Sequence, residues 1–253
     1  MVSVVTRGGV LAIVPARGGS KGVPRKNLRL LGDHPLIAWS IAAGQAASCV
    51  DRVLVTTDDP EIRETAQAYG AETPFLRPAE LAQDDTTDWP VFEHALAWLA
   101  EHEGYEPSLV VHLRPTSPLR LTADIDRAVA LIDEGGDEAD SVRGVCQPFQ
   151  NPFKMWRIGD SGFLEPLIPL NMPEPFNQPH QRLPPVYWQA GYIDVVRTRT
   201  IREQRSMTGR RIRPLHLSKD SWVDIDTEAN LAFADVLIRR GAPGVATPSL
   251  RAR

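Results

Sequence analysis

Short apolar runs alternate with helix-like stretches along the first 145 residues, and this alternation constrains the fold more than any other feature. Val10 to Pro15 (VLAIVP) is a continuous apolar run, as expected of a strand covered on both faces. Arg52 to Thr57, Leu109 to Leu113 and Asp140 to Cys146 read as further strands. Between them, Leu36 to Ala47, Trp89 to Glu103 and Ala123 to Glu134 read as helices. Val91, Ala95, Leu96 and Leu99 fall on one helical face, and Ile125, Val129 and Ile132 on another. Thr57-Asp58-Asp59-Pro60 can cap one more helix, with Pro60 in its first turn. Strands alternating with helices require right-handed crossovers. The pattern therefore predicts an α/β fold with a doubly wound, mostly parallel sheet.

The pattern changes after residue 147. Residues 148–185 hold nine of the 22 prolines. Proline fixes φ and lacks a backbone donor, so this stretch cannot be regular central sheet. It reads as an inserted arm at about 148–187 within one domain spanning 1–253. Tyr187 to Val196 and Ile212 to Leu217 return to strand character, and Thr227 to Arg240 is a closing helix. The tail after Gly241 is expected to fray.

Composition narrows the function. With 42% hydrophobic and 24% charged residues the chain is globular rather than disordered. No apolar run nears the roughly 20 residues of a membrane span. The first residues read as a strand rather than a signal peptide, and Cys49 and Cys146 have neither metal nor redox spacing, so a cytoplasmic protein is expected. A net charge of -4 argues against nucleic-acid binding, so any anion site must be a local concentration of cations.

Such a concentration follows the first strand, in Ala16-Arg17-Gly18-Gly19-Ser20-Lys21-Gly22-Val23-Pro24-Arg25-Lys26-Asn27. Arg17, Lys21, Arg25, Lys26 and Arg29 fall within 13 residues with no acid between them. Gly18, Gly19 and Gly22 let a backbone approach an anion closely. The position, beyond the carboxyl end of a strand, is where α/β sheets bind ligands. The loop matches neither G-x-x-x-x-G-K-[ST] nor G-x-G-x-x-G, so it reads as a different polyphosphate cradle, against the alternative of a solvated basic loop.

Two further segments carry chemistry. In Val223-Asp224-Ile225-Asp226-Thr227 the two carboxylates alternate along an extended stretch and make a hard oxygen site suited to Mg²⁺. The alternative is that Asp226 or Thr227 simply caps the last helix. Leu113-Arg114-Pro115-Thr116-Ser117-Pro118-Leu119-Arg120 is a rigid turn at a strand end, or else a plain connector. His34, His94, His102, His112 and His216 show no ligand spacing, and Trp39, Trp89, Trp98, Trp156 and Trp222 read as core or interface.

VPARGGSKGVPRKNL resembles the nucleotide-binding loop of the acylneuraminate cytidylyltransferases, the CMP-sialic acid synthetases. LRPAELAQDDTT (Leu76 to Thr87), LRPTSPLR (Leu113 to Arg120) and VDIDTEANL (Val223 to Leu231) resemble further blocks of that family in the same order. The resemblance implies a nucleotide-diphospho-sugar transferase-like fold whose arm makes a homodimer. It implies transfer of CMP from CTP to a sialic-acid-like (nonulosonic) keto acid, with release of pyrophosphate. By the same resemblance Arg17, Ser20 and Lys21 would hold the triphosphate, and Lys26, Asn27 and Arg77 the rest of the nucleotide. Asp224 and Asp226 would take Mg²⁺, while Lys154 and Gln178 would face the sugar. Arg17, Lys21, Asp224 and Asp226 form the expected catalytic set.

The departures from the family pattern cluster on the sugar side. The family's Gln in L-Q-P-T-S-P-L-R is Arg114 here, and its N-G-A-I-Y motif reads Ala190-Gly191-Tyr192-Ile193-Asp194. Trp188 and His180 stand where arginines are common. Arg114 is therefore expected to bind the acceptor's carboxylate as a planar fork, or alternatively to pair with a nearby acid such as Asp124 and never meet substrate. Two other functions stay open. One is a nucleotidyltransferase of the same fold with a different acid or nucleotide. The other is a catalytically silent nucleotide-binding subunit, against which the joint presence of four catalytic-type residues argues.

Overall fold

The computed structural model describes residues 6–218 and 223–251, so Trp222 lies outside the described residues. Six strands form the main sheet: β1 (Val10–Pro15), β2 (Arg52–Thr56), β3 (Leu109–His112), β4 (Ser141–Cys146), β5 (Trp188–Arg197) and β6 (Ile212–His216). Their order across the sheet is β6-β4-β5-β3-β1-β2. All neighbours run parallel except β5, which is antiparallel to β3 and β4. The sheet is thus mostly parallel, as expected, with one reversed strand. The reversal has a physical cause. A parallel return needs a crossover, usually a helix. Between β4 and β5 the chain forms only short 3₁₀ turns and a small hairpin, Trp156–Ile158 with Leu164–Pro166.

The helices are α1 (Leu36–Ala46), α2 (Pro60–Ala68), α3 (Asp88–Glu103), α4 (Thr122–Glu134), α5 (Thr198–Glu203) and α6 (Glu228–Arg239). Alternation along β1 sends Ala12 and Val14 to one face, where they pack with Ile37, Ile62 and Ile125 of α1, α2 and α4. Leu11 and Ile13 go to the other, against Phe92, Leu96 and Leu99 of α3 and Ile201 of α5. A third cluster joins Val23, Leu31 and Trp39 to Ile225, Leu231 and Ala234. Burying each large side chain contributes roughly 1.5–3 kcal/mol. This cluster therefore pins the glycine-rich loop against the segment before α6.

The arm presents apolar side chains to the outside: Ile158 and Phe163 are each 76% exposed and Leu164 62%. The tail does not fray as expected. The Arg251 amide donates to the Ala68 carbonyl (2.8 Å), Val245 pairs with Leu121, and Pro248 is buried. Among the described residues no helix is long and apolar enough to cross a membrane.

Candidate active site

The carboxyl ends of β1 and β3 open into a cleft of about 450 Å³. It is walled by the loop after β1, by residues 83–88 ahead of and at the start of α3, by the turn after β3, and by Asp226. Arg17, Ser20, Lys21, Lys26, Asn27, Arg77, Arg114 and Asp226 all line it. Residues from the two ends of the chain, Arg17 and Asp226 among them, therefore meet at one sheet edge.

The loop's glycines are explained by close approach rather than by unusual φ. A Cβ on Gly22 would collide with the Asp226 carbonyl oxygen, and one on Gly18 would come within 2.6 Å of the Asp59 carboxylate. Gly19 faces open space. The Asn27 side-chain amide donates to the Arg17 carbonyl (3.0 Å), and the Gly18 amide to Asp58 (3.1 Å). The loop is therefore held in place before any ligand arrives.

The five loop cations divide into two groups. Arg25 pairs with Asp59 and Glu61 at the start of α2, and Arg29 forms a fork to Glu228 (2.7 and 3.0 Å). Neither lines the cleft, so these two anchor the loop, and the expectation of a five-cation cradle is corrected to three. Arg17, Lys21 and Lys26 face the ligand space. Arg17 pairs with Asp84 (3.0 Å), as does Lys21, and Lys26 pairs with Asp226 (3.2 Å) while donating to the Ile225 carbonyl (2.7 Å).

Arg77 lines the cleft from a buried position. It has one long contact, to Asp58 (3.4 Å), and its Nε has no partner. Burial lowers its pKa, against the attraction of Asp58. A buried guanidinium with spare donors suits an anionic or carbonyl-bearing ligand.

Thr227, not Asp226, caps α6: its hydroxyl accepts from the Asn230 amide (3.1 Å) in a capping box. That leaves Asp226 exposed toward the cleft. Asp224 is half-buried, its Oδ1 is a buried oxygen without a partner, and burial pushes its carboxyl up while Thr116 opposes the shift. Among the described residues no cluster of three or more His, Cys, Asp or Glu could hold a metal ion. Of the two carboxylates expected to hold Mg²⁺, Asp226 lines the cleft and Asp224 does not; an ion that keeps several water or substrate oxygens needs only one or two carboxylates from the protein.

On the other wall the expectation for Arg114 is corrected. Its Nη1 donates to Asp194 (2.9 Å) and its Nη2 to Asp88 (3.0 Å). Arg143 binds the same Asp194 carboxylate (2.6 and 3.2 Å). Asp194 is only 3% exposed. Pairing with nearby acids is the alternative that forms, although the acids are Asp194 and Asp88 and not Asp124, which accepts from Arg127 (2.9 Å) and Tyr192 (3.0 Å). The two departures, Arg114 and Asp194, thus meet each other in one buried ion pair. Arg120 is structural as well, donating to Tyr192, Ser40 and Arg114 from full burial, which lowers its pKa to about 10.

Lys154 and Gln178 do not line this cleft. Both lie in the arm, where the Gln178 amide donates to the Pro173 carbonyl (2.9 Å). Trp188 and His180 also lie outside it, the Trp188 indole donating to the Cys146 sulfur (2.8 Å). Sequence reading passed over Asp84, Asp88 and His112. His112 lines the cleft from 1% exposure; neither ring nitrogen is hydrogen-bonded, its Nδ1 lies 3.8 Å from the Asp88 carboxylate, and burial holds its pKa well down. Its place at the end of a strand that enters the cleft was the available signal.

Comparison with known proteins adds the chemistry of relatives. Residues 11–155 match the model of a family described as Cytidylyltransferase. The chain is 32% identical over 232 residues to a CMP-N,N'-diacetyllegionaminic acid synthase of Legionella pneumophila, covering 90% of this chain and 96% of that protein. It is 39% identical over 122 residues to an N-acylneuraminate cytidylyltransferase of Escherichia coli, covering 48% of this chain and 28% of that protein. A solved CMP:2-keto-3-deoxy-manno-octonic acid synthetase complexed with CTP superposes with a TM-score of 0.69 at 14% identity, covering 92% of this chain and 99% of that one. This last likeness is one of fold.

Proposed function

The chain belongs to the cytidylyltransferase family, and from that premise we propose that it transfers CMP from CTP to the anomeric hydroxyl of a sialic-acid-like nonulosonic acid. Pyrophosphate leaves. The observation that carries this reading is the cleft, where Arg17, Lys21, Lys26 and Arg77 converge with Asp226 at the ends of β1 and β3. The acceptor class follows from the relative that aligns along 90% of the chain and whose name gives a CMP-nonulosonic acid as product.

The protein's work here is positioning and charge neutralisation. Arg17 and Lys21 hold the triphosphate and stabilise charge as it moves to the departing pyrophosphate. Ser20 and the open face at Gly19 let phosphate oxygens approach the backbone. Arg77 offers its spare donors to the nucleoside portion, and Asn27 keeps the loop in register. Asp224 and Asp226 would hold Mg²⁺, which when bound supplies Lewis-acid polarisation of the α-phosphoryl group. Lys26 keeps Asp226 oriented. Arg114, fixed by Asp194 and Asp88, shapes the wall on the acceptor side instead of binding the acid's carboxylate.

The functional unit in this proposal is a cytoplasmic homodimer. Three observations support the dimer: the exposed Ile158, Phe163 and Leu164, the arm's lack of central-sheet strands, and the absence of Lys154 and Gln178 from their own chain's cleft lining. Lys154 and Gln178 would then serve the acceptor pocket of a second copy. A pyrophosphate-release assay tests the function, pairing CTP, ATP, GTP and UTP in turn with a panel of nonulosonic and octulosonic acids. Release with CTP and a nonulosonic acid is expected. Release that prefers another nucleotide, or only an octulosonic acid, overturns the proposal.

A further inference from the structure

Asp84 sits between the two cations assigned to the triphosphate. Its Oδ1 is 3.0 Å from the Arg17 guanidinium and its Oδ2 pairs with the Lys21 ammonium. The same Arg17 nitrogen donates to the Gln83 carbonyl (2.9 Å). Arg17, Lys21, Gln83 and Asp84 all line the cleft. Lys21 first, and then Arg17, hold the Asp84 carboxyl below the usual carboxylate range.

We propose that Asp84 is an internal counter-anion: its carboxylate fills the phosphate subsite of the empty cleft and is exchanged for the polyphosphate of the substrate. The inference rests on the reading of Arg17 and Lys21 as phosphate ligands. Its logic is one of occupancy. A carboxylate offers two oxygens, and here each oxygen takes one of the two cations, so Asp84 competes with a phosphate for both at once. Leaving is easy. Asp84 is about half exposed (52% of its side chain) and belongs to the short connection between the 3₁₀ turn Ala79–Leu81 and α3, so its departure uncovers no core. The exchange replaces one carboxylate with a more highly charged group, which favours the substrate. After transfer, Asp84 competes with pyrophosphate for the same two cations and speeds its release. Asp85, next in the chain, is exposed and does not line the cleft, so it shares the local charge but not the contacts.

The test is calorimetric titration of pyrophosphate, in excess Mg²⁺, into the full-length wild type, D84N, D85N, K21A and K21A/D84N. Loss of two exposed ion pairs should tighten pyrophosphate by roughly 3- to 10-fold in D84N. D85N should change the affinity by less than about 2-fold, the scale of a bulk charge effect. The D84N gain should shrink in the K21A background, because one of the two competing contacts is already gone. Unchanged or weaker binding in D84N, or an equal gain in D85N, overturns the counter-anion. If K21A binds pyrophosphate as tightly as wild type, the phosphate reading of Lys21 itself fails, whatever D84N does.

Discussion

Asp194→Asn leaves the side chain's shape and removes its charge, and so isolates the buried pair that replaces the family's Gln and Tyr. In the native protein one carboxylate, 3% exposed, accepts from Arg114 (2.9 Å) and Arg143 (2.6 and 3.2 Å). Removing one partner of a buried ion pair costs about 3–5 kcal/mol. Two features reduce that here. The side chains of Arg114 and Arg143 keep 21% and 19% exposure, and Asp88 still holds Arg114 at 3.0 Å. A loss of about 2–4 kcal/mol is expected, which in a protein of this size lowers Tm by roughly 5–15 °C. Circular dichroism melts and urea titrations read it. The pairwise test is stronger. R114Q leaves Asp194 with Arg143, and D194Y leaves Arg114 with Asp88; the Arg114–Asp194 contact is lost in each single variant but only once in R114Q/D194Y, so the double variant should be about 1–3 kcal/mol more stable than the sum of the single losses predicts. A D194N melt within about 2 °C of wild type, or strictly additive losses, would refute the argument that these two residues act as one coupled pair.

K21A should lower kcat/KM by roughly 10²-fold or more, the scale of losing one electrostatic stabiliser, as read by steady-state pyrophosphate release. R25A, by contrast, should leave the KM for CTP within about 3-fold while lowering stability by about 1 kcal/mol, because its partners are Asp59 and Glu61 and not substrate. D226N should remove most Mg²⁺-dependent turnover without shifting the melt, since Asp226 is exposed and Thr227 is the cap of α6. Burial alone would raise the Asp59 carboxyl, but Arg25 and the Ile62 and Glu61 amides hold it below the usual value. Its contribution is therefore present above about pH 4 and lost as pH falls through its lowered folded value, so the Tm of D59N should depend less steeply on pH in that acid range.

Much of this arrangement was legible in the residues. The strand–helix alternation located the β1 to β4 strands and four helices within a residue or so, and the glycine-rich loop fell at a strand's carboxyl end because sheet topology puts ligands there. Charge counting in the loop was less informative. Five cations looked alike, yet Arg25 and Arg29 meet acids from α2 and α6 that lie 34 and 199 positions away. Local sequence cannot reveal such partners. The reversal of β5 depended on what the arm lacks, a crossover helix, and a proline count alone does not give strand direction. Arg114 misled for the same reason as Arg25. A fork suited to a carboxylate was present, but the carboxylates it meets are Asp194 and Asp88 of the chain itself.

The most direct measurement follows an oxygen atom. The nonulosonic acid that supports turnover, labelled with ¹⁸O at its anomeric hydroxyl, is incubated with CTP and the enzyme, and the products are read by mass spectrometry and ³¹P NMR. The account predicts that the label stays in the bridge between sugar and phosphorus of the CMP-linked product, with unlabelled pyrophosphate released in equal amount. Label in pyrophosphate, or free CMP with no sugar-linked product, contradicts it.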